Sequence, residues 1–344
     1  MIHKVKTTLA WAFLILTVVG TAWFKLSQPR ILVLHSYGPD YSWTRDIDLG
    51  LKRVLDTKLR YKVQWHYMDT KNHPTKEFKR KAGAQARRAI EGISPDLIIA
   101  VDDDAQEYAV MEYAGRSDIA IIFAGINGSV DAYGYNKVNN ATGIYERKPL
   151  AALVRAIAEL RNPNDARMGA RLLHIGDQSE TVKADTVEID AFDWKPFHVV
   201  ESKLVKTFDQ WKEAVRGSAG TADLILTSNY RSLAEVAGKP KLVHPSAVVA
   251  WTEANSPLPV VGMNGSFVED GGMFAVGASG FEQGETSARM AIQVLDHGAI
   301  PNSLPQVMPQ HFLVYIRQPL MTKRQLTLPP LYDAFAQAAN NFYP

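Results

Sequence analysis

The sequence contains no cysteine. That excludes disulfides, thiolate metal ligands, a cysteine nucleophile and anchoring through a lipidated cysteine. It fits an oxidising compartment without requiring one. An excess of either charge is also missing: 38 Lys and Arg face 36 Asp and Glu, a formal net charge of +2. No basic field points to a nucleic-acid partner, and no acidic tail is present. The usual enzyme signatures are absent as well. There is no HExxH, no G-x-S-x-G elbow and no phosphate loop ending in GK[ST]. No two glycines are separated by a single residue, so the dinucleotide fingerprint fails. The nine histidines include no i, i+4 pair. The chain therefore reads as a binding protein rather than an enzyme, with no metal and no cofactor expected.

What is there begins with the N-terminus. Lys4 and Lys6 precede an uncharged run over residues 7–24, and Lys25 follows. This run lies between a signal-peptide core and a short membrane span. Gly20 and Ala22 put small residues at −3 and −1 of a cleavage site after Ala22. A cleaved signal and a retained anchor are both compatible. Either way residues 30–344 lie beyond the inner membrane, with the positive end inside. The third reading, a buried core helix, is disfavoured by the flanking lysines and the polar KLSQPR stretch.

From residue 31 on, short apolar runs alternate with amphipathic segments. Residues 31–35, 97–101, 119–123, 171–175, 223–227, 259–263, 273–277 and 312–316 read as strands, several of them continuous apolar runs of the kind buried in parallel sheets. Residues 62–68 read as a further strand, and 197–201 are a candidate. Helical spacing marks residues 44–58, 75–91, 104–114, 149–160, 180–189, 208–215, 232–237 and 282–295, the last ending at Gly298. Such alternation implies parallel sheets covered by helices on both faces. Two successive sets of units imply two similar lobes, meeting near residues 141–149.

In open α/β sheets ligands bind beyond the carboxyl ends of the strands, so the residues after each apolar run are the candidates. Tyr37 and Trp43 follow the first run. Asp102, Asp103 and Asp104 follow the second, and Asn127 the third. In the second half, Asp177, Asn229 with Tyr230, Glu253 and Asn264 hold the same places, Glu253 counted after the apolar run 247–250. Short polar groups and aromatic faces suit a polar, partly planar ligand held between lobes. Each has a plainer reading. Tyr37 and Trp43 could cover a lobe edge. The Asp102–Asp104 run could cap a helix, contact a ligand or hold a metal. Asn127 could cap a turn. Asp177 and Glu253, placed in one cleft, read as carboxylates that orient an amine or hydroxyl. His35, at a strand end, reads as a packed histidine.

The segments ILVLHSYGPDYSWT, PDLIIAVDDDA and IIFAGIN resemble the first lobe of ABC-transporter substrate-binding proteins with the type I periplasmic binding fold. The likeness extends to a branch that supplies extracytoplasmic sensor domains of histidine kinases and cyclases. ATGIYE resembles the crossover to the second lobe. PVVGMNGSFVEDGGMFAVGASGFEQGETSARMAIQVLDHG resembles the late segment that returns to the first. The resemblance runs from about residue 31 to 327. It implies two Rossmann-like lobes with three crossovers, a ligand in the cleft and hinge closure. It implies segments 1–29 (signal or anchor), 30–143 plus 278–305 (first lobe) and 144–277 plus 306–344 (second lobe). Its implied ligand contacts are Tyr37, Trp43, Asp103, Asn127, Tyr145, Asp177, Asn229, Tyr230, Glu253 and Asn264. The implied function is extracytoplasmic capture of a small polar or aromatic molecule for an ABC-type permease. The alternative is a membrane-anchored sensing subunit that signals through a partner kinase or cyclase. The sequence departs from the transporter pattern in lacking a lipid-anchor cysteine. It departs from the sensor pattern in carrying no kinase or cyclase segment.

Overall fold

The computed structural model describes residues 2–58, 60–161, 171–239 and 241–344; for residues 2–10 and Leu26 only the backbone is described. Helix α1 (Ile2–Leu26) carries exposed side chains throughout residues 11–25, with Trp23 75% exposed. The buried-core reading of this segment therefore fails. Among the described residues no helix is long and apolar enough to cross a membrane.

The first lobe is a parallel five-stranded sheet: β1 (Arg30–His35), β2 (Lys62–Tyr67), β3 (Leu97–Val101), β4 (Ala120–Ile126) and β5 (Ala141–Tyr145), in the order β2-β1-β3-β4-β5. Strand alternation sorts its apolar residues onto two faces. Leu32, Leu34, Ile98, Ala100, Ile121 and Phe123 pack on α3 (Lys76–Ile93) through Ala82, Ala86 and Ile90. Ile31, Val33, Ile99, Val101, Ile122 and Ala124 pack on α2 (Ser42–Leu55) and on Ala288 and Ala291. Each Val, Leu, Ile or Phe among them, fully buried, contributes about 1.5–3 kcal/mol. The short helix α4 (Asp103–Tyr108) opens directly after β3.

The second lobe holds a seven-stranded sheet. Its strands are β6 (Arg171–Asp177), β7 (His198–Val205), β8 (Leu224–Thr227), β9 (Val260–Gly262), β10 (Phe274–Ala278), β11 (Phe312–Arg317) and β12 (Phe342–Tyr343). The order is β12-β11-β10-β9-β8-β6-β7. All pairs are parallel except β10 with β11. Its helices are α5 (Leu150–Glu159), α6 (Glu180–Ala191), α7 (Phe208–Arg216), α8 (Pro245–Asn255), α9 (Ser266–Glu269), α11 (Gln318–Lys323) and α12 (Pro330–Ala338). Two expectations change here. Residues 232–237 form turns and a bridge, not a helix. The apolar run 247–250 lies inside α8 rather than at a strand end.

Helix α10 (Gly280–His297) follows β10 but packs on the first lobe, against α2, β3, β4 and β5. Glycines allow the close approach: a Cβ on Gly284 would fall on the Ile47 carbonyl, and one on Gly50 on the Phe281 carbonyl. The chain thus passes between lobes three times, after β5, after β10 and before β11. The third passage adds a short edge to the first sheet, where Tyr145 N–H donates to Val307 O at 3.0 Å and Val307 N–H to Gly143 O at 2.9 Å. The start of α10 ties the passages together. Buried Gln283 donates to Tyr145 O at 2.8 Å and accepts from Gly125 N–H at 2.9 Å, and Glu282 accepts from Gln310 N–H and His311 N–H.

Candidate functional site: the interlobe cleft

The carboxyl ends of the parallel strands of both sheets meet at the cleft. On the first-lobe side, Ser36-Tyr37-Gly38-Pro39-Asp40 leaves β1 and delivers Tyr41, Trp43 and Asp46 at the start of α2. On the other side stand Asn229 after β8, Asn264 after β9, Glu269 on α9 and Tyr315 on β11. These residues line an inner cavity of about 40 Å³ together with Lys71, Glu146, Lys148 and Thr181. That volume admits a few waters. A wider outer cavity of about 760 Å³ shares Tyr37, Lys71 and Thr181 and adds Asp103, Asp104 and Tyr133 from one lobe and Gln178 and Glu180 from the other.

The inner cavity carries two groups of charge. Asp46 and Glu269, one from each lobe, form the first. Burial, and then the like charge of Glu269, push the Asp46 carboxyl up to about 6. The second gathers at the first crossover. Lys148 Nζ lies 2.7 Å from Glu146 Oε1, 3.1 Å from Asn264 Oδ1 and 3.6 Å from Asp185 Oδ2. Burial alone would lower the Lys148 ammonium, but Asp185 and Glu146 outweigh it and hold it above its ordinary value. Burial pushes Asp185 up to about 7. Lys148 thus stays charged, and Asp185 is the carboxyl that takes a proton near neutrality. Lys71 lies over the Tyr37 and Tyr41 rings, 4.7 and 5.8 Å from their centroids. Arg231 reaches across the cleft to within 5.1 Å of the Tyr41 centroid while paired to Asp270 at 2.6 Å.

Behind this wall lies Asp102. Its backbone sits at φ 63°, ψ 169°, a region costly for any residue but glycine. Its Oδ1 accepts from Trp43 Nε1–H at 2.9 Å, while Oδ2, fully buried, has no partner. Burial raises this carboxyl far above the usual range.

No protein-family profile matches the chain, and no curated protein matches it. Solved structures do. An ABC domain from Streptococcus pneumonia, solved in complex with L-Trp, superposes with a TM-score of 0.67 at 19% identity, covering 90% of this chain and 98% of that one. The ligand-free, open structure of a substrate-binding protein with adhesive properties from Clostridium difficile gives 0.60 at 15%, covering 88% and 96%. A complex of the TorS sensor domain with TorT, in the absence of ligand, gives 0.51 at 12%, covering 84% and 92%. The superpositions span both lobes of this chain and nearly the whole of each matched chain. The chain has the type I periplasmic binding fold.

Within this fold the expected contacts separate into three sets. Tyr37, Trp43, Asn229 and Asn264 line the inner cavity, and Asp103 lines the outer one. A second set braces the walls. Asn127 donates to Asp103 and to Gly125 O. Asp177 accepts from Ser179 N–H, Ser179 Oγ–H and Ser232 N–H. Tyr230 is buried, with its hydroxyl on Asp270. The third set lies elsewhere. Tyr145 packs on Phe123 in the first-lobe core, its hydroxyl on Gln306. Glu253, on α8, accepts from Met273 N–H and pairs with Arg324. Met273 precedes β10, so Glu253 sits at the amino end of the sheet, opposite the cleft, and cannot face Asp177.

The acidic run also divides. Asp102 occupies the N-cap position of α4 but its side chain makes no cap bond; Ser36 Oγ, from the loop after β1, accepts from Ala105 N–H instead. Asp103 accepts from Tyr133 and Asn127, and Asp104 pairs with Lys79 at 2.8 Å. No group of three His, Asp or Glu among the described residues is arranged to hold a metal ion. Tyr41, Asp46, Lys71, Lys148, Glu269 and Tyr315 were not anticipated. Tyr41 and Asp46 share the strand-end loop and helix start that flagged Trp43. Lys148 lies in the crossover, where sequence alone marks only a boundary.

Proposed function

We propose that this chain captures a small polar or aromatic molecule between its lobes, outside the bacterial cytoplasm, and delivers it to an ABC-type permease. One observation carries the reading: both lobes contribute aromatic faces and charges of both signs to one cavity. Tyr37, Tyr41, Trp43 and Tyr315 offer packing surfaces to a planar group. Asp46 with Glu269, and Lys71, offer partners to an amine and a carboxylate, so a zwitterion with an aromatic body fits best. The relative in complex with L-Trp supports this. An inner cavity of about 40 Å³ is too small for such a molecule, so capture needs the lobes to part and close again.

Export is supported by Lys4 and Lys6 ahead of the uncharged run and by the exposed apolar surface of α1. Either residues 1–22 leave as a signal peptide, giving a soluble periplasmic protein, or residues 7–24 anchor it to the inner membrane. The mass of the mature N-terminus decides: a chain starting at Trp23 excludes the anchor. The likeness to the TorS–TorT complex favours a second reading, a subunit that presents its liganded form to a separate signalling protein. Co-purification with a permease or with a membrane kinase or cyclase separates the two. Thermal-shift screening against amino acids, nucleosides, aromatic acids and sugars tests capture itself. A ligand at about a hundred times its Kd adds about 2.7 kcal/mol to folding stability. No rise with any class, in a folded sample, would count against the proposal.

A further inference from the structure

The first crossover carries an imbalance of buried charge. Glu146, Lys148 and Asp185 are each less than a tenth exposed. Two carboxyls therefore share one ammonium. Glu146 holds it at 2.7 Å, while Asp185 Oδ2 stands 3.6 Å away with no hydrogen-bond partner. The three groups come from different places: Glu146 and Lys148 from the passage between lobes, Asp185 from α6 of the second lobe, with Asn264 completing the shell. Lys148 also lines the inner cavity. The cluster is thus made where the lobes hinge.

We infer that closing the lobes takes up a proton at Asp185, so that the closed form is favoured in acid and weakened in base. This regulates the cleft assigned above to ligand capture and rests on its hinged closure. Closure seals Asp185 from water beside a lysine already committed to Glu146. A second buried negative charge without its own partner is costly, and protonation removes it. The groups facing Asp185 are Lys148 and Glu146 from the crossover, Glu188 from its own helix, and Lys71 from the loop after β2. Glu188 is itself paired with Arg147 at 2.8 Å. None gives Asp185 Oδ2 a hydrogen bond.

The sign follows from linkage. In the closed form burial raises Asp185 to about 7; in the parted, hydrated form it returns toward the ordinary carboxylate value. Between those limits the closed form binds the extra proton, and the closure constant falls by up to about tenfold per pH unit as pH rises. Above the closed-form value no further change is expected. Asp46 adds a second, lower fall, complete near 6, through Glu269 across the cleft.

The absence of cysteine allows two introduced cysteines, at Gln85→Cys on α3 and Glu213→Cys on α7, both exposed, to carry a fluorescent donor and acceptor. Energy transfer in the full chain without ligand then reports lobe closure from about pH 4.5 to 9. The expected result is a loss of closed population as pH rises from the ordinary carboxylate range, complete near 7 and level above it. Asp185→Asn should abolish that step and hold closure at its acid level, while Asp46→Asn removes only the lower step. If Asp185→Asn does not fold, Glu146→Gln decides: with one like charge gone, the upper fall should be complete at lower pH. Closure independent of pH in the parent chain, an upper step retained in Asp185→Asn, or an unmoved upper fall in Glu146→Gln would overturn the inference. Because no ligand is present, any of these leaves the capture proposal untouched.

Discussion

Replacing Lys148 by methionine keeps most of the side-chain volume and removes the cation paired with both Glu146 and Asp185. The lysine side chain is 2% exposed, and the carboxylate side chains are 9% and 4% exposed. Removing one partner of a buried ion pair costs about 3–5 kcal/mol, because the remaining charge stays buried without compensation. That is a large part of the roughly 5–15 kcal/mol that holds a typical domain together. The cost depends on pH. Without the ammonium the buried Asp185 carboxyl, already raised by burial, keeps a folded-state value above its unfolded one, so the folded chain binds the extra proton. The variant loses stability as pH rises through the carboxylate range and recovers it in acid. Urea melts followed by circular dichroism near pH 8 and pH 5 measure this, with the slope unchanged if the native state is intact. The expected loss is about 3–5 kcal/mol near pH 8, falling near pH 5 to about the 1 kcal/mol of lost hydrogen bonds. Lys183→Met, which breaks the exposed pair with Glu180, should cost under about 0.5 kcal/mol. An equal loss from Lys148→Met at both pH values, or a loss no larger than that control, refutes the reasoning.

Two further predictions concern buried polar groups. Asp102→Asn keeps the acceptor for Trp43, so its urea midpoint should change little. Asp102→Ala leaves the Trp43 indole N–H without its partner and should cost about 1–3 kcal/mol. His174, fully buried between Ser202 and Ser228, is pushed down to about 4 by burial. The unfolded chain takes the proton first, so stability is full above the unfolded value and drains as pH falls. Between pH 7 and 5 the loss should be about 2 kcal/mol. His174→Gln should flatten that part of the urea-midpoint profile.

Much of the fold is legible because parallel strands buried on both faces write themselves as apolar runs. Residues 31–35 and 97–101 are examples, and the helix over 282–295 declares itself by its spacing and by Gly298. Local pattern fails where a short apolar run fits either element. Residues 247–250 lie in helix α8, with Val248 and Val249 buried between exposed Ala247 and Ala250; reading so short a run as a strand end puts Glu253 at the wrong end of the sheet. The site was legible only where strand ends carry it, as at Tyr37, Trp43, Asn229 and Asn264. Asp177 and Tyr230 share that position but spend their polar atoms on neighbouring loops, and Tyr145 alternates into the core. Lys148 and Glu146 were hidden for another reason. A charged crossover reads as solvated linker, and only the convergence of α6 with the first passage reveals that both are buried.

The capture claim is tested most directly by titration calorimetry with the compound that raises the melting temperature, run on the parent chain, Trp43→Ala and Tyr145→Phe. Trp43 lines the cavity, whereas the Tyr145 hydroxyl meets Gln306 away from it. One molecule should bind per chain, at least about tenfold more weakly after Trp43→Ala, a loss of about 1.4 kcal/mol, and with unchanged affinity after Tyr145→Phe. Undiminished binding by Trp43→Ala, with the protein folded, would contradict capture between the lobes.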